Sequence, residues 1–403
     1  LQTLELADEN LKVELFASEP LIADPVAMEI DEKGRIFVVE MPGYPLDAEG
    51  SGRIVQLVDT DGDGLPDQSV VFADGFVFPK GIMRWKQGFL VTDAPHLYYL
   101  EDTTGDGRAD VREIMLTGFA RSNPQHNFNK PLYGLDNWIY LANNATIHTE
   151  AFADKLGDVG GEIRFGTAPE GVINASTTSG EGDDTNGSDG AANGSADNPG
   201  SGGAGVIKGG ATTGLTGVSR GSEEVILPRN ADGRNVRFRP DTRELEMLSS
   251  SSQFGHDFDT WGRHFMQVNS AHHQHETIAA RYLERNPHLL VRSTLHNTPL
   301  HGDAATVYPV TRNPEHQLLT DVGVFTSASA ITFYSGRAWG ERYHDVSFVV
   351  EPQHNLVHAD RVSERGAVFE ASRLFENREF LASTDAWFRP VNLLMGPDGA
   401  LYV

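Results

Sequence analysis

Short apolar segments separated by turns that contain Gly or Asp recur along most of the chain. In each copy an apolar strand leads into the turn, and a second strand rich in Phe, Tyr, Val and Leu follows, which is the pattern of a β-hairpin. Six copies can be read, at residues 25–39, 81–91, 132–141, 254–266, 330–350 and 391–403. Helical periodicity is rare, and its best candidate is the segment from Thr277 to Glu284.

The spacing of these repeats predicts the architecture. The copies follow one another at roughly 50 to 75 residues once one insertion is discounted, which suits four-stranded blades packed radially around a channel. Such an arrangement hides most sheet edges without closing a barrel. We therefore predict an all-β fold, a six-bladed β-propeller that spans residues 1–403 as a single domain. The sixth copy stops within a turn followed by a strand, so we expect a longer polypeptide that continues beyond Val403.

Residues 171–220 differ from the rest of the chain. Of these 50 residues 14 are Gly, most others are Ser, Thr, Asn or Asp, and none is aromatic. Such a segment cannot bury enough apolar area to offset the entropy of ordering it. We predict a disordered low-complexity insertion within a blade, because strand-like segments flank it at 162–165 and 235–238.

Composition narrows the function. The chain has 57 acidic and 32 basic residues and a formal net charge of −25, which opposes broad contact with nucleic acid or anionic lipid. The absence of cysteine excludes disulfides, thiolate metal sites, thiol nucleophiles and covalently attached haem within this chain. No apolar run approaches the roughly 20 residues of a spanning helix. We expect no nucleic-acid partner and no membrane span, and any redox chemistry would need a bound cofactor.

Two Asp-rich loops have the ligand spacing of a calcium loop. The first places Asp59, Asp61, Asp63 and Asp67 at positions 1, 3, 5 and 9, with a backbone carbonyl at Leu65 and Gly62 for the sharp turn. The second repeats this frame with Asp102, Thr104, Asp106, Arg108 and Asp110, and adds Glu113 at position 12. Both loops lie between strand-like runs. They are predicted to be Ca²⁺ clamps that join hairpins, and the alternative is a pair of Asp/Gly turns without metal.

His126 and Arg389 are the candidate residues for chemistry. His126 directly precedes the third repeat, where a loop would face the channel, and a neutral imidazole there can accept the proton of an alcohol that loses a hydride. Arg389 precedes the sixth repeat in the same relative place and can pair with an anionic cofactor or substrate. The alternatives are a purely structural histidine and a salt bridge between blades.

A histidine-rich segment follows the fourth repeat. His272, His273 and His275 lie beside Glu276, with His256 upstream. These residue types can bind a transition metal, although the spacing is not that of a helical zinc site. We expect His272 and His273 to contact cofactor or substrate, with metal binding and plain surface as the alternatives. Phosphate-cradling, dinucleotide-binding, serine-hydrolase and HExxH motifs are absent, which removes support for those chemistries.

Several longer segments resemble a known family. They include Leu15–Ile22, Asp24–Met28, Gly134–Tyr140, Phe325–Ser329 and Glu379–Asn392, and together they resemble the bacterial PVC-type membrane-bound dehydrogenase domain. That family is similar in turn to the glucose/sorbosone dehydrogenase propellers, which are six-bladed enzymes that use pyrroloquinoline quinone (PQQ) with calcium to oxidise sugars. The resemblance implies that His126 is the catalytic base and that Arg389 contacts the quinone. It also implies a periplasmic or extracellular protein with a haem c module, outside these residues, as electron acceptor.

The chain also departs from the sugar dehydrogenase pattern. Ser251, Ser252 and Gln253 stand where those enzymes place an Arg-Asn pair, and Ala271, His272 and His273 replace a His-Gly segment. Loss of a cation weakens binding of a tricarboxylate. Two hypotheses follow: a PQQ-dependent dehydrogenase of a sugar or sugar-derived alcohol, or a non-catalytic, calcium-stabilised propeller that binds polysaccharide or a protein partner.

Overall fold

The computed structural model describes residues 1–144, 156–166, 225–286, 288–311 and 323–403. The regular secondary structure of the described residues is almost entirely β, as predicted. The predicted insertion at 171–220 lies outside the described residues. The helix expected at 277–284 is limited to α1 (Ala280–Leu283), and three short 3₁₀ turns lie at Asn230–Gly233, Glu341–Tyr343 and Pro352–His354. Within the described residues no helix is long and apolar enough to cross a membrane.

The first three sheets are antiparallel blades. Blade 1 contains β2 (Pro25–Ile30), β3 (Ile36–Glu40), β4 (Gly52–Val58) and β5 (Gln68–Phe76). Blade 2 contains β6 (Gly81–Trp85), β7 (Gly88–Asp93), β8 (His96–Glu101) and β9 (Val111–Thr117), and is widened by β12 (Glu162–Phe165) and β13 (Leu227–Arg229). Blade 3 contains β10 (Asn129–Tyr133), β11 (Ile139–Ala142), β14 (Val236–Arg239) and β15 (Glu244–Met247). The predicted insertion therefore falls between two neighbouring strands of blade 2.

Two further blades continue the ring. Blade 4 contains β16 (His256–Phe258), β17 (His264–Met266), β18 (Gln274–Glu276) and β19 (Leu295–Asn297). Blade 5 contains β20 (Ser329–Phe333), β21 (Val346–Glu351), β22 (Leu356–Arg365), β24 (Leu381–Ser383) and, at its edge, β1 (Leu4–Leu6), while β23 (Val368–Arg373) pairs with the outer part of β22. Contacts join the first strands of blades 1 and 2, of blades 2 and 3, and of blades 4 and 5, which places these strands along the inner wall of the ring.

The prediction of six blades is wrong, because the described residues form five. The sixth repeat forms only the hairpin of β25 (Leu394–Met395) and β26 (Leu401–Tyr402). This hairpin sits between blades 5 and 1, since Asn392 Nδ2 donates to the Val26 carbonyl at 3.0 Å and the Tyr334 hydroxyl donates to the Gly399 carbonyl at 3.1 Å. The N-terminal strand β1 does not extend it. Instead β1 pairs with β24, where Leu4 and Leu6 pack on the core of blade 5.

The core consists of apolar side chains between adjacent blades. Phe37 of blade 1 packs on Phe89 of blade 2 with ring centroids 4.4 Å apart, and Phe265 of blade 4 packs on Phe333 of blade 5 at 4.9 Å. These rings are nearly or completely buried. Alternating strand residues thus face the neighbouring blade, which fixes how the blade ends line up at the two faces of the ring.

Candidate functional site

One face of the ring carries most of the buried polar groups near the inner wall. We call it the upper face, the end at which the first strand of each blade begins and the second strand ends. In all five blades a buried polar residue is the last residue of the second strand or directly follows it: Glu40, Asp93, Asn143, Gln267 and Glu351. The repeated position means that the upper face is built in the same way around the ring.

Most of these polar side chains hold the upper-face loops in place. Glu40 accepts a hydrogen bond from the backbone N–H of Ala23 at 2.8 Å, and Asp93 accepts one from Phe78 at 2.7 Å. Glu351 accepts from the backbone N–H of Ser327 at 3.0 Å. Buried carboxylates are tolerated when such donors satisfy them. The charges of these carboxylates are therefore satisfied by the hydrogen bonds that hold the loops.

Lys80 and His126 differ from these carboxylates. Neither the Lys80 ammonium nor His126 Nδ1 has a hydrogen-bond partner among the described residues. Lys80 precedes β6 and is 2% exposed, and its ammonium forms no hydrogen bond or ion pair with the described residues. Burial lowers the pKa of Lys80 from 10.5 to about 7, an effect that the negative charge of Asp93 opposes. A lysine with such a pKa exchanges its proton near neutral pH.

His126 lies beside Lys80 in the loop before β10. The ring is buried, and its Nδ1 has no hydrogen-bond partner among the described residues. Burial, helped by the positive charge of Lys80, lowers the pKa of His126 to about 4, so the imidazole is neutral at pH 7. The loop is held by Phe119 stacking on Phe128 at 3.8 Å and by Asn129, whose side chain donates to the Gln253 carbonyl at 2.8 Å.

Arg389 lies on the same face, in the loop between β24 and β25. The preceding residue, Phe388, is bound by the buried Asn355, whose amide donates to its carbonyl at 2.6 Å. Arg389 is exposed and forms no ion pair within the part of the chain that the structure describes. The salt bridge between blades that was its alternative role is not formed among those residues. Its guanidinium is therefore available to an anion.

His272 and His273 contact other groups. His272 is fully buried between blades 4 and 5, where its Nε2 lies 3.0 Å from Asp360 Oδ2 and 3.3 Å from His301 Nε2. His273 Nδ1 lies 2.5 Å from the Thr298 hydroxyl, and burial lowers the pKa of His273 to about 3. The expectation that both bind cofactor or substrate stays a prediction.

His358 completes this histidine group. It lies between two buried carboxylates, with Nε2 3.1 Å from Asp360 Oδ1 and Nδ1 2.6 Å from Glu379 Oε2. These negative charges raise the pKa of His358 to about 9 although burial acts in the opposite direction. Sequence reasoning missed His301, His358, Asp360 and Glu379. The alternation of His358 and Asp360 along one strand, which puts both on the same side, was the signal that could have found part of the group.

Another cleft lies between blades 3 and 4 and has a volume of about 440 Å³. It is lined by the 1–2 hairpins of these blades, at the face opposite His126. Its charged groups pair with one another, since Arg237 bridges Asp136 at 3.0 Å and also contacts Glu246.

The two Asp-rich loops adopt nearly the same turn. In the first loop Asp59 accepts the backbone N–H of Gly62 at 2.6 Å and of Gly64 at 2.9 Å, and in the second Asp102 accepts those of Gly105 and Gly107 at 2.6 and 2.8 Å. All four glycines have positive φ, which these turns require. Both loops join the third and fourth strands of their blades, so they lie at the face opposite His126.

The two loops differ in how well their oxygens converge. Asp59, Asp61 and Asp67 each offer an oxygen within 4.8 Å of the others. Among the described residues the second loop provides no such group, and Glu113 lies in β9 opposite Tyr99 rather than closing the loop. The remaining predicted ligands, at Asp63, Leu65, Thr104, Asp106, Arg108 and Asp110, lie in the two turns. Calcium binding by either loop stays a prediction, with the first loop better arranged for it.

Calcium should therefore stabilise the fold through the first loop. Ca²⁺ at about 100 times its Kd is expected to add roughly 3 kcal/mol to the free energy of unfolding, and to raise the Tm by several degrees. Thermal melts with Ca²⁺ and with EDTA measure this. Asp61→Asn should lose most of the increase, whereas Glu9→Gln, an exposed acid outside both loops, should keep it. An identical Tm with Ca²⁺ and with EDTA would show that the loop is a turn without metal.

Comparison with solved structures finds proteins to which this chain is similar. Among solved structures it is similar to a glucose dehydrogenase (11% identity, TM-score 0.44, covering 99% of this chain and 95% of that chain). It is also similar to the holo form of the pyranose dehydrogenase PQQ domain from Coprinopsis cinerea, at 11% identity and a TM-score of 0.41, covering 94% of this chain and 90% of that chain. A third similar structure is the PQQ-bound form of the aldose sugar dehydrogenase from Streptomyces coelicolor, at 10% identity and a TM-score of 0.37, covering 97% of this chain and 88% of that chain. Sugar dehydrogenases are thus among the solved structures to which this chain is similar.

The search of curated proteins found no match. The model of the family described as "Domain of unknown function (DUF7133)" matches residues 1–194 and 209–403. Because this match covers nearly the whole chain, the protein belongs to the DUF7133 family.

Proposed function

We propose that the protein is a quinoprotein-type oxidoreductase that oxidises a sugar or sugar-derived alcohol with PQQ. The observation that carries the proposal is the buried, neutral His126 imidazole, whose Nδ1 has no partner among the described residues. Leaving a buried polar atom unsatisfied is costly, and such atoms are common where a ligand or substrate binds. In this proposal the ligand binds at the upper face beside His126.

The residues at this face fit an anionic cofactor. PQQ carries three carboxylates and needs cationic partners. Lys80 and Arg389 are two cations of the upper face that form no ion pair with described residues, while Glu40, Asp93 and Glu351 are satisfied by backbone donors. Ser252 contributes hydrogen bonding rather than charge and is already bonded to Asn235. The upper face thus offers two cations without an ion-pair partner among the described residues and one imidazole whose Nδ1 has no such partner.

The chain's own residues then divide the work. PQQ, when bound, would supply the site that accepts the hydride from the alcohol carbon. His126 Nδ1 would accept the hydroxyl proton, because the neutral ring has a free lone pair there. Arg389 would hold a cofactor carboxylate, and Lys80 would provide a second positive charge. The calcium loops lie at the opposite face, so their role in this proposal is to stabilise the fold.

The test combines binding and turnover. PQQ is titrated into the protein with Ca²⁺ present and followed by absorbance, for wild type and for Arg389→Gln. Saturable binding that is at least about tenfold weaker in the variant is expected, since one charge-assisted contact is worth roughly 1.5–3 kcal/mol. Dye-linked oxidation of a panel of sugars then reports turnover. Absence of saturable PQQ binding in the wild type would reject the proposal.

A second candidate is favoured by one exposed aromatic ring. Trp387 is 90% exposed and lies two residues before Arg389 on the upper face. Exposed tryptophans of this kind stack well on sugars or partner surfaces. The chain would then be a non-catalytic propeller that binds polysaccharide or a protein partner. Oligosaccharide binding without PQQ, lost in Trp387→Ala but unaffected by His126→Gln, would select this function.

The same proposal includes the protein's surroundings. Electrons from the reduced cofactor would pass to a haem c module outside these residues, because a chain without cysteine cannot attach such a haem itself. We place the protein in the periplasm or outside the cell, where soluble sugars and such electron acceptors meet.

A further inference from the structure

Four side chains converge between blades 4 and 5, far along the ring from His126. His272 precedes β18, His301 follows β19, and His358 and Asp360 lie near the start of β22. Each offers one ligand atom, and these atoms all lie within 4.8 Å of one another. His272, His358 and Asp360 are fully buried, whereas 19% of the His301 side chain is exposed.

Several of the donor separations are close to those of a tetrahedral metal site. With metal–ligand bonds of about 2.0–2.1 Å, neighbouring donor atoms of a tetrahedron lie roughly 3.3–3.4 Å apart. The Nε2 atoms of His272 and His301 are 3.3 Å apart, and His272 Nε2 lies 3.0 Å from Asp360 Oδ2. The distances from His358 Nε2 to Asp360 Oδ1 and from His301 Nε2 to Asp360 Oδ2 are 3.1 and 3.9 Å.

Hydrogen bonding alone leaves part of this group unsatisfied. His358 Nε2 and Asp360 Oδ1 are only 3.1 Å apart, yet neither has a hydrogen-bond partner, because their directions do not suit a bond to each other. The Nε2 atoms of His272 and His301 also face each other, although two neutral imidazoles share at most one proton at such a contact. Donor atoms that point to a common centre rather than to each other are typical of metal ligands.

The surroundings orient these ligands. His358 Nδ1 is bonded to Glu379 at 2.6 Å, and Glu379 in turn accepts the backbone N–H of Tyr308 at 2.9 Å. A carboxylate behind a ligating histidine is the usual way in which proteins fix the ring and strengthen it as a ligand. On the other side the Phe325 ring stacks on His272 with centroids 4.0 Å apart, which covers that side of the site with an apolar ring.

We propose that His272, His301, His358 and Asp360 bind one divalent transition-metal ion, with Zn²⁺ as the best match to three imidazoles and one carboxylate. Four protein ligands fill a tetrahedral shell, so the ion is structural and joins blade 4 to blade 5. The partly exposed His301 lies at the entry side. The site is separate from both the Asp-rich loops and the residues proposed for alcohol oxidation.

The experiment measures the metal directly. The purified protein is stripped with a chelator, reloaded with Zn²⁺ or Co²⁺, and analysed for metal content and visible absorption. One metal ion per chain and the intense d–d bands of tetrahedral Co²⁺ are expected. A Co²⁺ spectrum of octahedral type, or no retained metal after gel filtration, would overturn the proposal.

Variants assign the site to these side chains. His301→Gln should abolish tight metal binding, and Glu379→Gln should weaken it by about 10–100-fold, because it supports His358 from behind. His296→Gln, in β19 but outside the group, is the matched control and should bind as wild type does. Unchanged Co²⁺ spectra in His301→Gln and in Asp360→Asn would contradict the assignment, and the wild-type measurement decides the proposal even if a variant does not fold.

Discussion

Replacing His126 with glutamine is expected to lower kcat for PQQ-dependent alcohol oxidation by about 10²- to 10⁴-fold, the usual contribution of a general base. Glutamine keeps the size and polarity of the side chain but cannot accept a proton at neutral pH. His126 makes no side-chain hydrogen bond through Nδ1 among the described residues, so the change removes no contact there. We therefore expect the loss in kcat, with little change in PQQ affinity or Tm.

The measurement is steady-state dye-linked oxidation together with PQQ titration of both proteins. Gln125→Ala, an exposed position next to His126, is the matched control and should retain wild-type kcat. A variant with wild-type kcat would exclude His126 as the base. Loss of PQQ binding in His126→Gln, with proportionate loss of turnover, would instead assign His126 to cofactor binding.

Replacing Lys80 with methionine is expected to stabilise the protein, and most strongly at or below neutral pH. In the folded state burial lowers the pKa of Lys80 to about 7, whereas the unfolded chain has the ordinary value of 10.5. Between these pH values the unfolded state binds the proton and the folded state does not, so the free energy of unfolding rises with pH across this window. Below about pH 7 both states are protonated and the folded state bears the full cost of a buried charge.

The size of that cost follows from the pKa difference. Each pKa unit corresponds to about 1.4 kcal/mol and the pKa falls from 10.5 to about 7, so the cost of charging Lys80 in the folded protein is at most on the order of 5 kcal/mol. Methionine has a similar length and no charge, so Lys80→Met should recover a substantial part of it at pH 6 and little at pH 10. Urea unfolding at several pH values measures the free energy of unfolding of the variant and of wild type. The contributions of the other titrating groups cancel in the difference between the two proteins.

The control for Lys80 is Lys33→Met at an exposed position, which should change the free energy of unfolding by no more than about 0.5 kcal/mol at any of these pH values. A stability difference between Lys80→Met and wild type that stays constant from pH 6 to pH 10 would show that Lys80 is ordinarily solvated. Destabilisation of Lys80→Met relative to wild type at pH 6 would show that the Lys80 ammonium has an ion-pair partner in the folded protein.

Features that depend on nearby residues were predictable. The spacing of Asp59, Gly62 and Gly64 predicts the turn that the structure contains, because these residues bond to one another within the loop. The hairpins follow in the same way from apolar alternation around turns. His126 could be singled out by its place before a repeat, yet its burial and its free Nδ1 depend on blades 2 and 3 together.

Features that depend on distant residues were not predictable. Lys80 lies between Pro79 and Gly81, two residues that favour turns, and its burial depends on the packing of the upper-face loops. The blade count failed because the sixth repeat can be recognised as a hairpin locally, whereas a blade needs partners for its edges. The N-terminal strand β1 could pair with the sixth-repeat hairpin or with blade 5. The apolar contacts of Leu4 and Leu6 place it in blade 5.

The sequence by itself determined that this chain folds as radially packed β-hairpins, that two Asp-rich loops tie hairpins, and that the protein is acidic and free of cysteine chemistry. These properties follow from composition and from interactions between residues a few positions apart. Only the tertiary structure decided that five blades form, that Lys80 and His126 meet as buried neighbours, and that His272, His301, His358 and Asp360 converge. Each of these requires blades that are distant in sequence to pack at a fixed angle, and local periodicity carries no information about that angle.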